Sequence, residues 1–237
     1  MPNNRFYLPE PFHIGQTARI AEEELRHLRV LRPRTGEFIE LINGQGQLAT
    51  AELTQLSKNE ALVHVKTLKQ QPHAQPEIIL AQALPRINRL DTILEKSTEL
   101  GVTQFWLFPG EHGEREKISA QQEQRMHHVV TAALKQCGRL WMPQILLKPP
   151  LADWTTPPER TYLGDVNHNA PLFAKACRPA EKEIAFVIGP EAGFSPKELD
   201  CLRKLQATGV SLHSNILRTD TAPIVALSVI YQLLLGV

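Results

Sequence analysis

The polar, proline-flanked stretch at residues 70–76, QQPHAQP, separates two parts of the chain that have different residue patterns. A stretch of this composition is typical of a linker between folded parts. The chain has 237 residues, of which 42% are hydrophobic, so it can bury the cores of two domains and general disorder is excluded. We therefore predict one domain at residues 1–72 and a second at residues 73–237.

The residue pattern before the linker predicts a small β-barrel or β-sandwich. Turn residues separate short apolar runs at residues 38–42, 48–53 and 61–65. The Asn43-Gly44 pair between the first two runs is a strong signal for a hairpin. One short helix is expected beside these strands, at residues 22–31.

After the linker, runs of strand length alternate with segments of helical spacing. The strand candidates are residues 78–84, 102–108, 161–164, 183–189 and 210–212. The helix candidates are residues 88–100, 119–137, 196–209 and 220–235. Ser119 and Ser195 each begin a capping box, which marks a helix N-terminus. This alternation predicts an α/β domain with a largely parallel sheet.

Charge, cysteine content and the apolar segments exclude several classes of protein. The 26 basic and 25 acidic residues give a net charge of +1, which excludes a polycationic coat protein but not a local nucleic-acid patch. Cys137, Cys177 and Cys201 are too far apart for a CxxC zinc pair or a disulfide framework. The N-terminus has no secretory signal, and the apolar stretch at residues 223–235 is too short to cross a bilayer. We expect a cytoplasmic protein without a metal site.

Two loops of the second part carry candidate ligand-binding residues. In IGPEAGFS, residues 188–195, a strand enters a glycine-bracketed loop and then a capped helix, whose first N–H groups are free to bind a ligand. An ordinary strand-to-helix turn would look the same. In ILRTDTA, residues 216–222, Arg218 directly follows two apolar residues, which favours contact with a phosphate, a carboxylate or a nucleic-acid backbone. Asp220 in the same loop could serve only as a helix cap.

Arginines cluster in both parts of the chain. The first cluster comprises Arg26, Arg29, Arg32 and Arg34, with Arg5 nearby in sequence. These residues fit phosphate contacts of an RNA-binding module, or a solvated helix face with Leu25, Leu28 and Leu31 packed inward. The second cluster comprises Arg86, Arg89 and Lys96 with Glu95 and Glu99, and Arg139 follows later in the chain. The two glutamates lie on one helix face and could simply pair with Arg89, Lys96 or solvent.

Five segments, taken in order, resemble the RsmE family of the SPOUT superfamily. They are HLRVLRPRTG at residues 27–36, KSTELGV at 96–102, KQCGRLWMP at 135–143, IGPEAGFS at 188–195 and ILRTDTA at 216–222. The members of this family are bacterial methyltransferases that act on N3 of a uridine in 16S ribosomal RNA. The resemblance covers nearly the whole chain, and it is the ordered set of five segments that makes it specific.

The resemblance implies a fold, a cofactor and partners. The first domain is expected to be a PUA-like β-barrel that binds RNA, and the second a SPOUT-type α/β domain whose last elements form a trefoil knot. S-adenosyl-L-methionine (SAM) would bind in the knot loops of a homodimer. The partners implied are 16S rRNA and the small ribosomal subunit, with no membrane and no metal.

The resemblance also implies roles for individual residues. One cofactor loop would comprise Gly189, Pro190, Glu191 and Gly193, a second Leu212, Ile216, Leu217 and Arg218, and Leu163 and Gly164 would contribute less. The candidate catalytic residues are Arg218, Glu191 and Asp220. Of these we favour Arg218, because a cation beside the uracil stabilises the anion that forms when N3 loses its proton. Arg5, Arg26, Arg29, Arg32 and Arg34 would contact the RNA backbone, and Arg86, Arg89 and Arg139 would lie nearer the uridine.

Four positions depart from the family pattern. Ala192 and His213 stand where glycine is usual, and Asp220 and Lys135 stand where glutamate is usual. Ala192 requires a negative φ to avoid strain. These departures keep open an alternative function, that of an RNA- or ribosome-binding relative that no longer uses the cofactor. A nucleotide-binding α/β enzyme unrelated to RNA is a third possibility, and it leaves the arginines of the first part unexplained.

Overall fold

The computed structural model describes residues 4–114, 117–167 and 169–234. The strands are β1 (Arg5–Tyr7), β2 (Thr17–Ile20), β3 (Phe38–Ile42), β4 (Gln47–Leu56), β5 (Ala61–Gln70), β6 (Glu77–Ala83), β7 (Gln104–Phe108), β8 (Gln144–Leu147), β9 (Arg160–Gly164), β10 (Glu183–Ile188) and β11 (Thr208–Val210). The helices are α1 (Glu22–Val30), α2 (Ile87–Glu99), α3 (Ala120–Cys137), α4 (Phe173–Ala176), α5 (Pro196–Lys204) and α6 (Ala222–Leu234), with a 3-10 turn at Leu151–Asp153. The described residues do not include 1–3 and 235–237, which belong to the predicted domains. The last residue of the predicted helix 220–235 therefore also lies outside them.

Backbone contacts group the chain into two compact units. The first unit holds the chain up to His73 together with Thr131–Met142, and the second holds Ala74–Val130 and Pro143 onward. The residue pattern predicts a single boundary after residue 72, whereas the contacts also assign the Thr131–Met142 segment to the first unit. Lys135 Nζ lies 2.6 Å from Glu24 Oε1 within that unit, so the lysine that departs from the family pattern has an acidic partner.

The first unit is built on one five-stranded sheet in the order β1-β3-β4-β5-β2. The predicted hairpin is confirmed, because β3 and β4 pair in antiparallel register from Phe38 opposite Glu52 to Ile42 opposite Leu48. The sheet and α1 share one hydrophobic core that includes the fully buried Leu28. All five strands belong to one sheet, so the unit is not a two-sheet sandwich.

The second unit is built on a six-stranded sheet in the order β11-β9-β10-β6-β7-β8. Every pairing in it is parallel, which confirms the predicted α/β architecture. The two central strands read EIILAQA and EIAFVI, with almost continuous apolar side chains, as expected for strands covered on both faces. Because all strands point the same way, the loops after β9, β10 and β11 emerge at one edge of the sheet.

The bounds of α5 and β11 differ from the sequence prediction. Helix α5 ends at Lys204 instead of continuing to Gly209, because Gln206 adopts a left-handed φ of +58° that breaks the helix. Gly209 belongs instead to β11, opposite Leu163, so this strand begins two residues before the predicted one. A Cβ on Gly209 would lie 2.9 Å from the carboxylate of Asp165, so a larger residue there would displace that side chain. The edge strand β8 was not predicted.

Within the described ranges, no helix has the length and apolar character needed to cross a membrane. In the same residues, no group of three or more His, Cys, Asp and Glu side chains could hold a metal ion.

Candidate functional site

A cleft of about 580 Å³ lies at the carboxyl ends of β9, β10 and β11. Its lining residues come from three segments, between residues 164 and 172, between 187 and 194, and between 210 and 222. In open parallel sheets this edge is where ligands bind, because the loops that leave neighbouring strands converge there. The cleft is therefore the candidate functional site.

The loop between β10 and α5, residues 189–195, is fixed by local hydrogen bonds. The Ser195 hydroxyl accepts a bond from the Glu198 amide at 3.0 Å, and the Glu198 carboxylate accepts one from the Ser195 amide at 2.8 Å, which confirms the predicted capping box. Gly193 has a φ of +82° and donates its N–H to the Pro190 carbonyl at 2.9 Å. The left-handed position is thus a glycine, while Ala192 keeps a conformation without positive φ, so the alanine introduces no backbone strain.

The first residue of this loop, Gly189, packs closely against Phe194. A Cβ on Gly189 would lie 3.1 Å from the ring of Phe194, which itself lines the cleft. Two residues along, the Glu191 carboxylate lies 3.4 Å from the Arg89 guanidinium of α2. This ion pair leaves both groups partly exposed and ties the loop to the start of a helix.

The segment after β11 is held by backbone pairing and by one histidine. Ser211 donates its N–H to the Pro171 carbonyl at 2.8 Å and accepts a bond from the Phe173 N–H at 2.9 Å. His213 Nδ1 lies 2.9 Å from the Asn215 amide, so this ring nitrogen acts as the acceptor. The histidine that replaces the family's glycine thus stabilises its own loop and lines the cleft.

The turn before α6 carries an unsatisfied hydroxyl. The Arg218 carbonyl accepts bonds from the amides of Thr221 and Ala222, at 3.0 and 2.9 Å, and these bonds form the turn. Thr219 lines the cleft, and its hydroxyl oxygen is buried with no hydrogen-bond partner among the described residues. Buried polar atoms are nearly always paired, so this hydroxyl is a candidate for a hydrogen bond to a molecule bound in the cleft.

The charge of the cleft favours a ligand that carries positive charge. Asp165 and Glu191 contribute carboxylates to the lining. Among the described lining residues there is neither a lysine nor an arginine. The remaining lining residues are glycines, apolar residues, neutral polar residues and one histidine. They can contact a ligand through backbone N–H and C=O groups and through the faces of aromatic rings.

The predicted cofactor residues fall into two groups. The structure brings together at the cleft Gly164, Gly189, Pro190, Glu191, Gly193, Leu212, Ile216 and Leu217. Leu163 does not line it, because its side chain lies on the core face of β9 and is buried in the hydrophobic cluster. Arg218 and Asp220 lie in the loop that lines the cleft but do not line it themselves. Three further residues line the cleft that the sequence motifs do not single out as cofactor ligands: Asp165, Phe194 and Thr219. Asp165 directly follows β9, so its position just beyond a strand end is a signal for it, whereas Phe194 and Thr219 lie six and nine residues beyond β10 and β11.

The predicted RNA-contact arginines of the first unit differ in exposure. Arg5 is 8% exposed, and its guanidinium donates to the Glu40 carboxylate at 2.9 and 2.6 Å, so it holds β1 to β3 and is withdrawn from phosphate contact. Arg29 is exposed but donates to the Ser57 carbonyl at 2.7 Å, which ties α1 to the turn after β4. The remaining members of the cluster are exposed and form no ion pair among the described residues: Arg26, Arg32 and Arg34.

The three arginines predicted to lie nearer the uridine are divided between the two units. Arg86 donates to the Glu114 carboxylate at 2.9 Å, and Arg89 pairs with Glu191, both within the second unit. Arg139 belongs to the first unit, where burial lowers the pKa of its guanidinium. These three arginines therefore do not form one cluster within either unit.

Comparisons with known proteins identify both parts of the chain. Residues 72–231 match the family described as RNA methyltransferase domain, and residues 20–66 match the family described as RNA methyltransferase PUA domain. The first match covers more than half of the chain. The two matches bear out the resemblance to a PUA-like domain followed by a methyltransferase domain.

Relatives and solved structures agree with these matches. The ribosomal RNA small subunit methyltransferase E of Synechocystis is 30% identical over 228 residues, which cover 93% of this chain and 75% of the relative. The Neisseria gonorrhoeae protein of the same name, solved bound to S-adenosyl methionine, is 31% identical with a TM-score of 0.86 and 97% coverage of both chains. A Legionella pneumophila structure in complex with the bound cofactor SAM has a TM-score of 0.87 at 27% identity and covers 98% of this chain and 97% of its own. The chain belongs to the ribosomal RNA small subunit methyltransferase E family.

Proposed function

We propose that this protein transfers a methyl group from SAM to N3 of a uridine in the 16S rRNA of the small ribosomal subunit. The observation that carries the proposal is the cleft at the ends of β9, β10 and β11, in a chain that aligns over 97% of its length with a SAM-bound relative. The resemblance adds N3 of uridine as the methylated atom. The alternative is a relative that binds RNA and has lost the cofactor.

The residues of the cleft fit SAM. Its sulfonium is positive, and the lining offers the Asp165 and Glu191 carboxylates without a lysine or arginine among the described residues. The unpaired Thr219 hydroxyl offers one hydrogen bond. Backbone groups would hold the adenine and ribose at Gly164, at Gly189, Pro190, Glu191 and Gly193, and at Leu212, Ile216 and Leu217. When bound, SAM supplies the electrophilic methyl group.

We assign stabilisation of the uracil anion to Arg218. N3 of uracil becomes a good nucleophile only when its proton is lost, so a cation beside the ring lowers the cost of the anion. Arg218 is exposed, and its guanidinium forms no ion pair among the described residues. Glu191 is already paired with Arg89, and the Asp220 carboxylate accepts a bond from the Thr221 hydroxyl at 3.4 Å. Beyond stabilising the anion, the site would accelerate methyl transfer by aligning N3 of the uracil with the methyl group. Normal turnover of Arg218→Ala at saturating RNA would contradict this assignment.

The cofactor site is tested by calorimetric titration with SAM. Gly193→Arg places a long side chain at a cleft residue with a φ of +82° and should abolish binding. Gly15→Arg is the matched control, because Gly15 has a φ of +86°, equally open surroundings and a position in the first unit. Wild type and the control should bind with equal affinity. An absence of SAM binding in wild type, with RNA affinity intact, would establish the alternative function.

We also propose that the first unit binds the RNA backbone through Arg26, Arg32 and Arg34. Each phosphate contact that is removed should reduce the slope of log affinity against log salt by about 1. Arg26→Ala combined with Arg34→Ala should therefore weaken rRNA binding and flatten the salt dependence. Arg19→Ala is the control, because Arg19 is equally basic but pairs with Glu60 at 2.6 Å. An unchanged slope in the double variant would assign these arginines to a solvated surface.

We further propose that the protein acts in the cytoplasm as a homodimer. The support for a dimer is the apolar surface at the end of α6, where Tyr231 is 44% exposed and Leu234, three residues along on the same helix face, is 36% exposed. Large apolar side chains grouped on one helix are typical of a protein interface. Sedimentation should give twice the 26.7 kDa mass of one chain, and Leu234→Asp should give the monomer. A monomeric wild-type protein at micromolar concentration would exclude the dimer.

A further inference from the structure

Glu198 is a buried carboxylate that joins two loops of the second unit. The residue is 4% exposed, and both of its carboxylate oxygens accept hydrogen bonds from backbone amides. One bond comes from Ser195 at 2.8 Å, within the capping box, and the other comes from Glu111 at 3.0 Å, a residue 87 positions away in the sequence. A helix cap requires only the first bond. The second ties the segment after β7 to the start of α5.

The segment after β7 meets the cofactor loop, residues 189–195, at two further points. His112 Nδ1 lies 3.2 Å from the Gly193 carbonyl oxygen. Gly110 is packed so closely that a Cβ there would lie 3.2 Å from the Pro190 ring. Strand β6 lies between β7 and β10 in the sheet, so this segment crosses the end of β6 to reach the loop.

These contacts hold the part of the loop that lines the cleft. Pro190, Glu191 and Gly193 all contribute to the lining, whereas His112 does not. Both backbone groups of Gly193 are engaged, since its amide donates to Pro190 and its carbonyl faces His112. A glycine at a φ of +82° is free to adopt many other conformations, so external contacts are needed to keep this one.

We propose that Gly110, Glu111 and His112 form a latch that holds the cofactor loop in the shape that binds SAM, with His112 as its positioning residue. The proposal rests on the proposed SAM-dependent function. His112 acts through the Gly193 carbonyl and does not touch the ligand. Because the partner is a carbonyl, Nδ1 must carry a hydrogen, which the neutral Nδ1–H tautomer and the imidazolium both provide.

The test uses substitutions that remove or retain this donor. His112→Ala removes it, and loss of one hydrogen bond that preorganises a site should raise the Kd for SAM roughly two- to tenfold. His112→Asn retains an amide N–H close to the position of Nδ1 and should restore the Kd to within about twofold. His127→Ala removes an exposed histidine from α3 and is the matched control with an unchanged Kd.

Two readouts separate positioning from general stability. His112 is exposed, so His112→Ala should leave the Tm of the cofactor-free protein within about 2 °C of wild type. In rRNA methylation assays its KM for SAM should rise while kcat at saturating SAM stays unchanged. Gly110→Ala, which places a methyl group against the Pro190 ring, should raise the Kd independently of His112.

The outcomes distinguish failure of the latch from failure of the proposed function. Wild-type binding of SAM together with an equal Kd for His112→Ala would overturn the latch and leave the proposed function intact. A fall in Tm that His112→Asn does not restore would make His112 a structural residue, and would also overturn the latch. An absence of SAM binding in wild type would overturn both proposals.

Discussion

Replacement of Thr219 by valine should change stability and cofactor affinity in opposite directions. The Thr219 hydroxyl is buried in the cleft wall with no hydrogen-bond partner among the described residues. An unsatisfied buried hydroxyl costs about 1–3 kcal/mol, and valine has nearly the same shape with a methyl group in its place. Taking the lower end of that range, the cofactor-free variant should be more stable by about 1 kcal/mol. For a chain of this size the gain corresponds to a Tm about 2–4 °C higher.

The same change should weaken SAM binding. If the hydroxyl pairs with the ligand, its loss removes a hydrogen bond with a net contribution of about 0.5–1.5 kcal/mol. The Kd for SAM should then rise roughly two- to tenfold. A variant that is more stable when empty and binds less tightly is the signature of a polar group that only the ligand satisfies.

Thermal unfolding and calorimetry on cofactor-free protein measure the two effects. Thr221→Val is the control, because Thr221 is exposed in the same loop and its hydroxyl already contacts Asp220. The control should show neither the gain in Tm nor the loss of affinity. A lower Tm for Thr219→Val together with an unchanged Kd would refute the reasoning, since it would mean that the hydroxyl is satisfied without the ligand.

Further predictions concern stability and reactivity. Lys135→Glu replaces the 2.6 Å contact with Glu24 by two like charges at a mostly buried site. The free energy of unfolding in urea should fall by about 2–4 kcal/mol, and adding Glu24→Lys should restore it. The hydrogen bond from the Lys182 amide lowers the pKa of Glu159 in the folded protein. The ionised carboxylate therefore stabilises the fold above the unfolded pKa near 4.5, and the free energy of unfolding should fall as the pH drops below that value. Burial raises the pKa of Cys177, so iodoacetamide at pH 8 should alkylate it more slowly in the native than in the denatured protein.

Local patterns in the sequence predicted most of the elements. The apolar spacing of α2, the capping box at Ser195 and the Asn43-Gly44 turn each involve residues within a few positions of one another. The structure confirms them for that reason, because such signals depend little on the rest of the chain. The alternation of strands and helices likewise predicted the parallel sheet. The short strands β1 and β2 carry too few residues to show a period and were missed.

The candidate site was only partly predictable. The two glycine- and arginine-containing loops were found from the sequence, and the ordered motifs supplied the family and the cofactor. Sequence spacing could not show that Leu163 faces the core, that the Thr219 hydroxyl is left without a partner, or that Arg218 lies outside the cleft lining. The trefoil knot implied by the family remains a prediction.

Patterns along the chain specify the fold class, the elements with strong local signals and, through the ordered motifs, the family. The strand order, the convergence of three distant loops on one cleft, and the partners of charged groups are visible only in the folded protein. Arg5 forms an ion pair with Glu40, 35 residues away, and the Glu111 amide donates a hydrogen bond to Glu198, 87 residues away. The physical reason is that such contacts depend on which strands become neighbours. That choice is made by packing of the whole sheet, and no local pattern of residues encodes it.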